Sequence, residues 1–265
     1  MIDWPKAIDG GFPLPAGPAR ADAVAELSEA LRSPDPVLRD EQAFTVASRW
    51  IPELDSAARR RLGDEMAARF ADTQIQARTF AALVLAAVVE QGEFDPSWLA
   101  AFERWYPSET DLRGHDPELG WLHAVAHGAD LLGTFGRSPS VDPVPLLDLA
   151  AARLLARTGH VFADSEDDRL GHAIALTLTR AELTEPQSIG WLDPVASAFA
   201  AARQGPGPAP AEISNTTRTL RVLYLLADRG VRPDWADGDP VALAHRLAVR
   251  ERLAGVLALV APFTG

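Results

Sequence analysis

Along most of the chain, apolar residues recur every three or four positions, the period of an amphipathic helix. The pattern predicts helices over roughly 21–32, 36–50, 55–70, 73–91, 96–106, 117–132, 143–159, 164–182, 186–203, 212–228 and 240–260. Strand patterning is nearly absent: β-branched runs are short, and no Asn-Gly or Asp-Gly pair separates two alternating segments. The punctuation is Asp-Pro, an N-cap acceptor followed by a proline at the first helical position. It occurs at Asp35-Pro36, Asp95-Pro96, Asp116-Pro117, Asp142-Pro143, Asp193-Pro194 and Asp239-Pro240.

The predicted helices pair as short hairpins whose second members begin near 36, 73, 117, 164 and 212. Intervals of about 37 to 48 residues match a two-helix solenoid repeat. The expected fold is all-α: an α-α superhelix of roughly five helical hairpins, HEAT-like. No linker divides the chain, so residues 1–265 are expected to form a single helical-repeat domain. Residues 1–20, rich in Gly and Pro, read as an irregular N-terminal arm, and Gly205–Pro210 as an extended connector.

Composition narrows the partners. Apolar residues make up 47% of the 265, enough for a substantial core. The formal net charge of −12 disfavours nucleic acid and anionic membrane surfaces, both of which attract clustered Lys and Arg. The chain has no cysteine, which removes disulfides, thiolate chemistry and Cys-type zinc sites. The first residues lack a basic stretch followed by an apolar one, and the longest apolar run, Phe80 to Val89, is too short to span a bilayer. A cytoplasmic location is the expectation.

The chemistry-bearing residues concentrate on the second helices. In Trp121-Leu-His123-Ala-Val-Ala-His127-Gly-Ala-Asp130, helical spacing puts His123, His127 and Asp130 on one stripe, with the opposite face free to pack. Two imidazoles at i, i+4 can share a metal ion, zinc being the natural candidate, with Asp130, Glu166 or Asp167 completing the set. The residue after His123 is Ala124, so the general base of a His-Glu-x-x-His site is missing. The competing reading is imidazoles hydrogen-bonded between packed helices. Arg39, Asp40, Arg78, Glu166, Asp167 and Arg169 suit either an anion clamp or an inter-helix salt-bridge ladder. Arg78 is the stronger ligand candidate, because it precedes a long apolar run where an unpaired charge is costly. Trp121 reads as a packing residue that also borders the groove.

Ser33-Pro-Asp-Pro-Val-Leu-Arg39-Asp40, Arg78-Thr-Phe80, Asp111-Leu-Arg113-Gly114, Gly120-Trp121-Leu-His123-Ala-Val-Ala-His127-Gly128-Ala129-Asp130 and Glu166-Asp167-Asp168-Arg169-Leu170 occur in this order. Together they resemble a bacterial family of helical proteins, the domain-of-unknown-function 2785 family, from about residue 30 to 192. His115 departs from the aromatic or aliphatic residue expected after Arg113-Gly114. The resemblance implies a helical, repeat-like fold and no assigned activity. Two functions stand as expectations. One is a scaffold whose concave groove, centred on His123, His127 and Asp130, holds a peptide, a protein segment or a small anionic ligand. The other is a metal-dependent or acid/base hydrolase-type enzyme using His123 and His127, with Asp130 orienting an imidazole and Arg78 holding the substrate.

Overall fold

A computed structural model describes residues 2–203, 207–233 and 238–261. Of the expected connector Gly205–Pro210, Gly205 and Pro206 lie outside these described residues. Among the described residues the chain is all-α apart from one two-stranded hairpin and an isolated bridge between Val231 and Val241. No helix among the described residues is long and apolar enough to cross a membrane. By its internal contacts the chain divides into two units, residues 1–105 with 113–131, and residues 106–112 with 132–265.

The first unit opens with α1 (Trp4–Asp9), where an irregular arm is expected. Asp3 caps this helix by accepting the Lys6 N–H at 3.1 Å, and Pro5 fits its first turn. Trp4 is buried with its ring 6.3 Å from that of Trp50, whose Nε1–H donates to the Phe12 carbonyl. Glycine and proline content hid a segment tied down by two tryptophans. Then come α2 (Ala19–Ala30), a π-helix over Val37–Ala43 that runs into α3 (Phe44–Glu53), α4 (Ser56–Arg69), α5 (Ile75–Glu90) and α6 (Pro96–Trp105). A hairpin of β1 (His115–Asp116) and β2 (Gly120–Trp121) leads to α7 (Ala124–Arg137), whose residues up to Leu131 belong to this unit.

The apolar run Phe80–Val89 lies within α5, a helix buried on nearly every side, which is why its hydrophobic residues show no single stripe. Against α5 pack α4 and α3, and α6 lies on α4. Phe70 stacks on Trp105 at 4.7 Å and meets Phe102 at 6.0 Å. Gly63 leaves room for Trp98, which is 1% exposed and donates Nε1–H to Asp64 at 2.7 Å.

The second unit contains the remainder of α7, α8 (Pro143–Leu155), α9 (Glu166–Thr177), α10 (Glu185–Gly190), α11 (Asp193–Arg203), α12 (Ala211–Arg229) and α13 (Arg246–Ala258). Helix α12 packs on α9, α13 and α8. Small residues allow close approach: Gly136 on α7 faces Thr177 of α9, and Gly171 on α9 faces Val222 of α12. The expected helix 186–203 is two helices, broken at Trp191–Leu192 ahead of Asp193-Pro194. The expected helix 240–260 begins only at Arg246, because Val241 pairs with Val231 instead.

Gly63 gives a direct test of the packing in the first unit. A Cβ at this position would fall within the van der Waals envelope of the Trp98 ring, which its bond to Asp64 holds in place. Gly63→Ala is expected to cost about 2 kcal/mol in urea unfolding, in the usual range for overpacking. Unfolding indistinguishable from that of the unsubstituted protein would contradict the packing described.

Candidate functional site

The site in the first unit is built on the π-helix. Asp35 accepts the Val37 N–H at 3.0 Å and so starts the turn as Asp-Pro predicts. The bonding then widens to i→i+5, with the Phe44 N–H donating to the Arg39 carbonyl. On this widened turn Arg39 is 0% exposed. Its Nη1 donates to the Ser33 carbonyl at 3.0 Å, and its Nη2 to the carbonyls of Leu119 at 2.6 Å and Trp121 at 3.2 Å. Its Nε lies 2.6 Å from Asp40 Oδ1, and its Cζ sits 4.7 Å over the Phe80 ring. Burial pushes the Asp40 carboxyl above the ordinary carboxylate range, against the opposing pull of Arg39 and of a hydrogen bond from the Trp121 N–H. Arg39 and Asp40 therefore hold both backbone polar groups of Trp121.

That grip explains the local chain path. Asp116 does not begin a helix. Its Oδ1 accepts the N–H groups of Glu118 and Leu119, each at 2.9 Å, which closes the hairpin turn and holds its carboxyl below the usual range. His115 pairs with Trp121 and Asp116 with Gly120. Gly120 has φ +70°, and a Cβ there would lie 2.5 Å from Pro36 Cβ and 3.2 Å from Asp40 Oδ2, so no other residue fits. The expected helix 117–132 is thus corrected to a turn, a strand and a helix that starts at Ala124. The carbonyls that a helix would have used at Leu119 and Trp121 are occupied by Arg39. The N–H groups of Leu122 and His123 donate back to Gly114 and Arg113. His123 takes the left-handed conformation, φ +48°, and its carbonyl accepts the His127 N–H in the first turn of α7.

His123 therefore precedes the helix that carries His127 and Asp130, and the three do not form a stripe on one helix face. Instead, rings form a continuous chain. From Arg39 over Phe80 the contacts run to His127 (5.2 Å, 83° between planes), His123 (5.6 Å, 86°), Trp121 (4.4 Å, 42°) and His115 (4.9 Å, 77°). The inner members are buried: Phe80 is 3% exposed and His127 5%. The outer end is open: Trp121 is 44% exposed, not the packing residue expected. Asp130 is half-buried on α7. Arg78, at the start of α5, donates Nη1–H to the Asp72 carbonyl at 2.8 Å, a contact that secures the turn before the helix. Phe80 and His115 are the members that sequence reasoning did not place. Phe80 lies two residues after Arg78 in an apolar run and looks like core, and His115 was legible only as a departure from the family pattern.

Glu166, Asp167 and Arg169 belong to the second unit. Glu166 is 0% exposed in the first turn of α9, and its Oε2 accepts the Asp164 N–H at 2.8 Å. Asp167 pairs with Arg218 of α12 at 3.3 Å. Arg169 is half-buried on α9, its N–H donating to the Ser165 carbonyl. His172, also on α9, has its Nε2 2.7 Å from the Arg232 carbonyl.

Two substitutions test the grip on the hairpin. Lysine lacks the planar fork that reaches three carbonyls at once, so Arg39→Lys is expected to lower stability by about 3 kcal/mol and to speed amide exchange at Leu122 and His123. Asp40→Asn tests the carboxyl. Because the folded state holds the Asp40 proton to higher pH than the unfolded chain does, its contribution to stability is full below the ordinary pKa of about 4 and is lost as the pH rises through the raised folded value. The Tm of Asp40→Asn relative to the unsubstituted protein should therefore climb as the pH rises above about 4. A Tm difference that stays flat or falls over that range contradicts the assignment.

No curated protein and no solved structure matches the chain. Residues 67–225 match the family described as "Protein of unknown function (DUF2785)". The matched span includes the hairpin, α7 and the start of α9, whereas Arg39 and Asp40 lie before it. The match covers more than half of the chain, and the protein belongs to this family.

Proposed function

We propose that this protein binds a small ligand presenting a planar ring with an acidic group, which stacks on Trp121 between His115 and His123. The observation that carries this reading is the exposure of Trp121 on a backbone that is clamped from below. Its indole is 44% open to solvent, while its N–H and carbonyl are held by Asp40 and the buried Arg39. A large apolar ring left in water has an energetic cost, and one fixed in position loses little further freedom when a partner stacks on it. The flanking imidazoles supply the polar contacts, since each carries one N–H donor when neutral and two when protonated. The left-handed backbone at His123 costs of order 1 kcal/mol and persists because the surrounding bonds impose it, as at many ligand-holding positions.

Saturation-transfer NMR with 1-naphthoate is the test. Transfer to the naphthyl protons is expected with the unsubstituted protein. It should fall at least fivefold in Trp121→Ala and drop in His123→Ala. Transfer to Trp121→Ala equal to that of the unsubstituted protein would overturn the proposal, as would no transfer to either.

A further inference from the structure

The second unit also holds a buried carboxylate that the reading above leaves unexplained. Between Phe162 and α9 the chain passes through Ser165 in the left-handed conformation, φ +65° and ψ 22°, unusual for a residue with a Cβ. This turn brings the two neighbours of Ser165 together: a carboxylate oxygen of Asp164 and one of Glu166 lie within 4.8 Å of each other. Glu166 is 0% exposed. Its Oε2 is satisfied by the Asp164 N–H, but Oε1 is buried with no hydrogen-bond partner among the described residues. Arg218 of α12 is committed elsewhere: it pairs with Asp167 and donates to the Phe162 carbonyl and Asn215 Oδ1. A fully desolvated carboxylate with an idle oxygen is costly unless a positive charge meets it.

We propose that Asp164 and Glu166 hold a divalent cation in the second unit. Carboxylate oxygens are hard donors, and two of them with water completing the shell is the ordinary way Mg²⁺ or Mn²⁺ is bound. The idle Oε1 is the inner ligand, the half-buried Asp164 carboxylate is the outer one, and the strained Ser165 sets their separation. An ion held this way keeps exchangeable water positions, so it is open to an oxygen-bearing ligand.

Mn²⁺ titration of the full chain, monitored by the loss of the free-ion EPR signal, tests it. One Mn²⁺ per chain is expected, with affinity reduced at least tenfold in both Glu166→Gln and Asp164→Asn, and with a Tm increase on adding Mn²⁺ that both variants lose. The half-exposed Asp164 can be replaced without opening the core, so Asp164→Asn decides the matter should Glu166→Gln fail to fold. No stoichiometric Mn²⁺ on the unsubstituted protein, or unchanged binding by Asp164→Asn, overturns the proposal.

Discussion

A guanidinium removed completely from water must be met by acceptors on every side, and in the first unit that requirement at Arg39 determines the structure around it. The acceptors come from Ser33, Asp40, Leu119 and Trp121, with the Phe80 ring below. Two of these belong to a segment about eighty positions further along the chain. Because the carbonyls of Leu119 and Trp121 are consumed by the cation, the segment cannot coil there. It closes instead into a hairpin, which delays α7 to Ala124 and forces His123 into a left-handed turn. The exposure of Trp121 and the order of the rings beneath it arise from the same bonds. An ion pair alone would do less, since removing two charges from water roughly offsets their attraction. The organising effect comes from the directed N–H bonds to carbonyls.

The same device recurs. Of the 25 basic residues, Lys6 is the one lysine. Arginines reach backbone carbonyls throughout both units: Arg59 to Leu54, Arg69 to Ser28, Arg153 to Tyr106 and Glu109, Arg180 to Gly136 and Ser138, and Arg218 to Phe162. Carbonyls at helix ends and in loops have no partner within their own element. A fork with several coplanar donors satisfies two of them at once, which a single ammonium on a flexible stem does poorly. In a helical protein with no disulfide, most of these long side chains act as cross-ties between segments distant in sequence.

The legible and the hidden parts of the structure divide along this line. Helices decided by local periodicity and a local cap were readable: α4, α5, α6, α8 and α12 lie close to their expected spans, and Asp35, Asp95 and Asp142 accept the N–H groups that Asp-Pro predicts. Asp116 makes the same local bond, yet the residues after it close into a hairpin, because the deciding contacts come from Arg39. The N-terminal helix was missed because composition suggested an irregular arm, whereas Trp4 and Trp50 are buried with their rings 6.3 Å apart. For the site, Arg39, Asp40, His123 and His127 were recognisable as polar residues in unusual places, whereas Trp121 read as packing. Their arrangement was not, because ring-to-ring contact and backbone clamping depend on distances between α5, the π-helix and the hairpin that no spacing rule encodes.

The π-helix at Val37–Ala43 also constrains how this segment can change in length. Surface loops usually absorb insertions and deletions at little cost. Here the loss of one residue would return the turn to ordinary i→i+4 bonding, a gain for the local chain. It would also swing everything on the upstream side of the deletion through about 100° relative to α3. A guanidinium carried through that arc leaves the carbonyls of Leu119 and Trp121, so the locally more regular helix would leave the hairpin unheld. The number of residues between Asp35 and Phe44 is therefore fixed as firmly as the identity of Arg39.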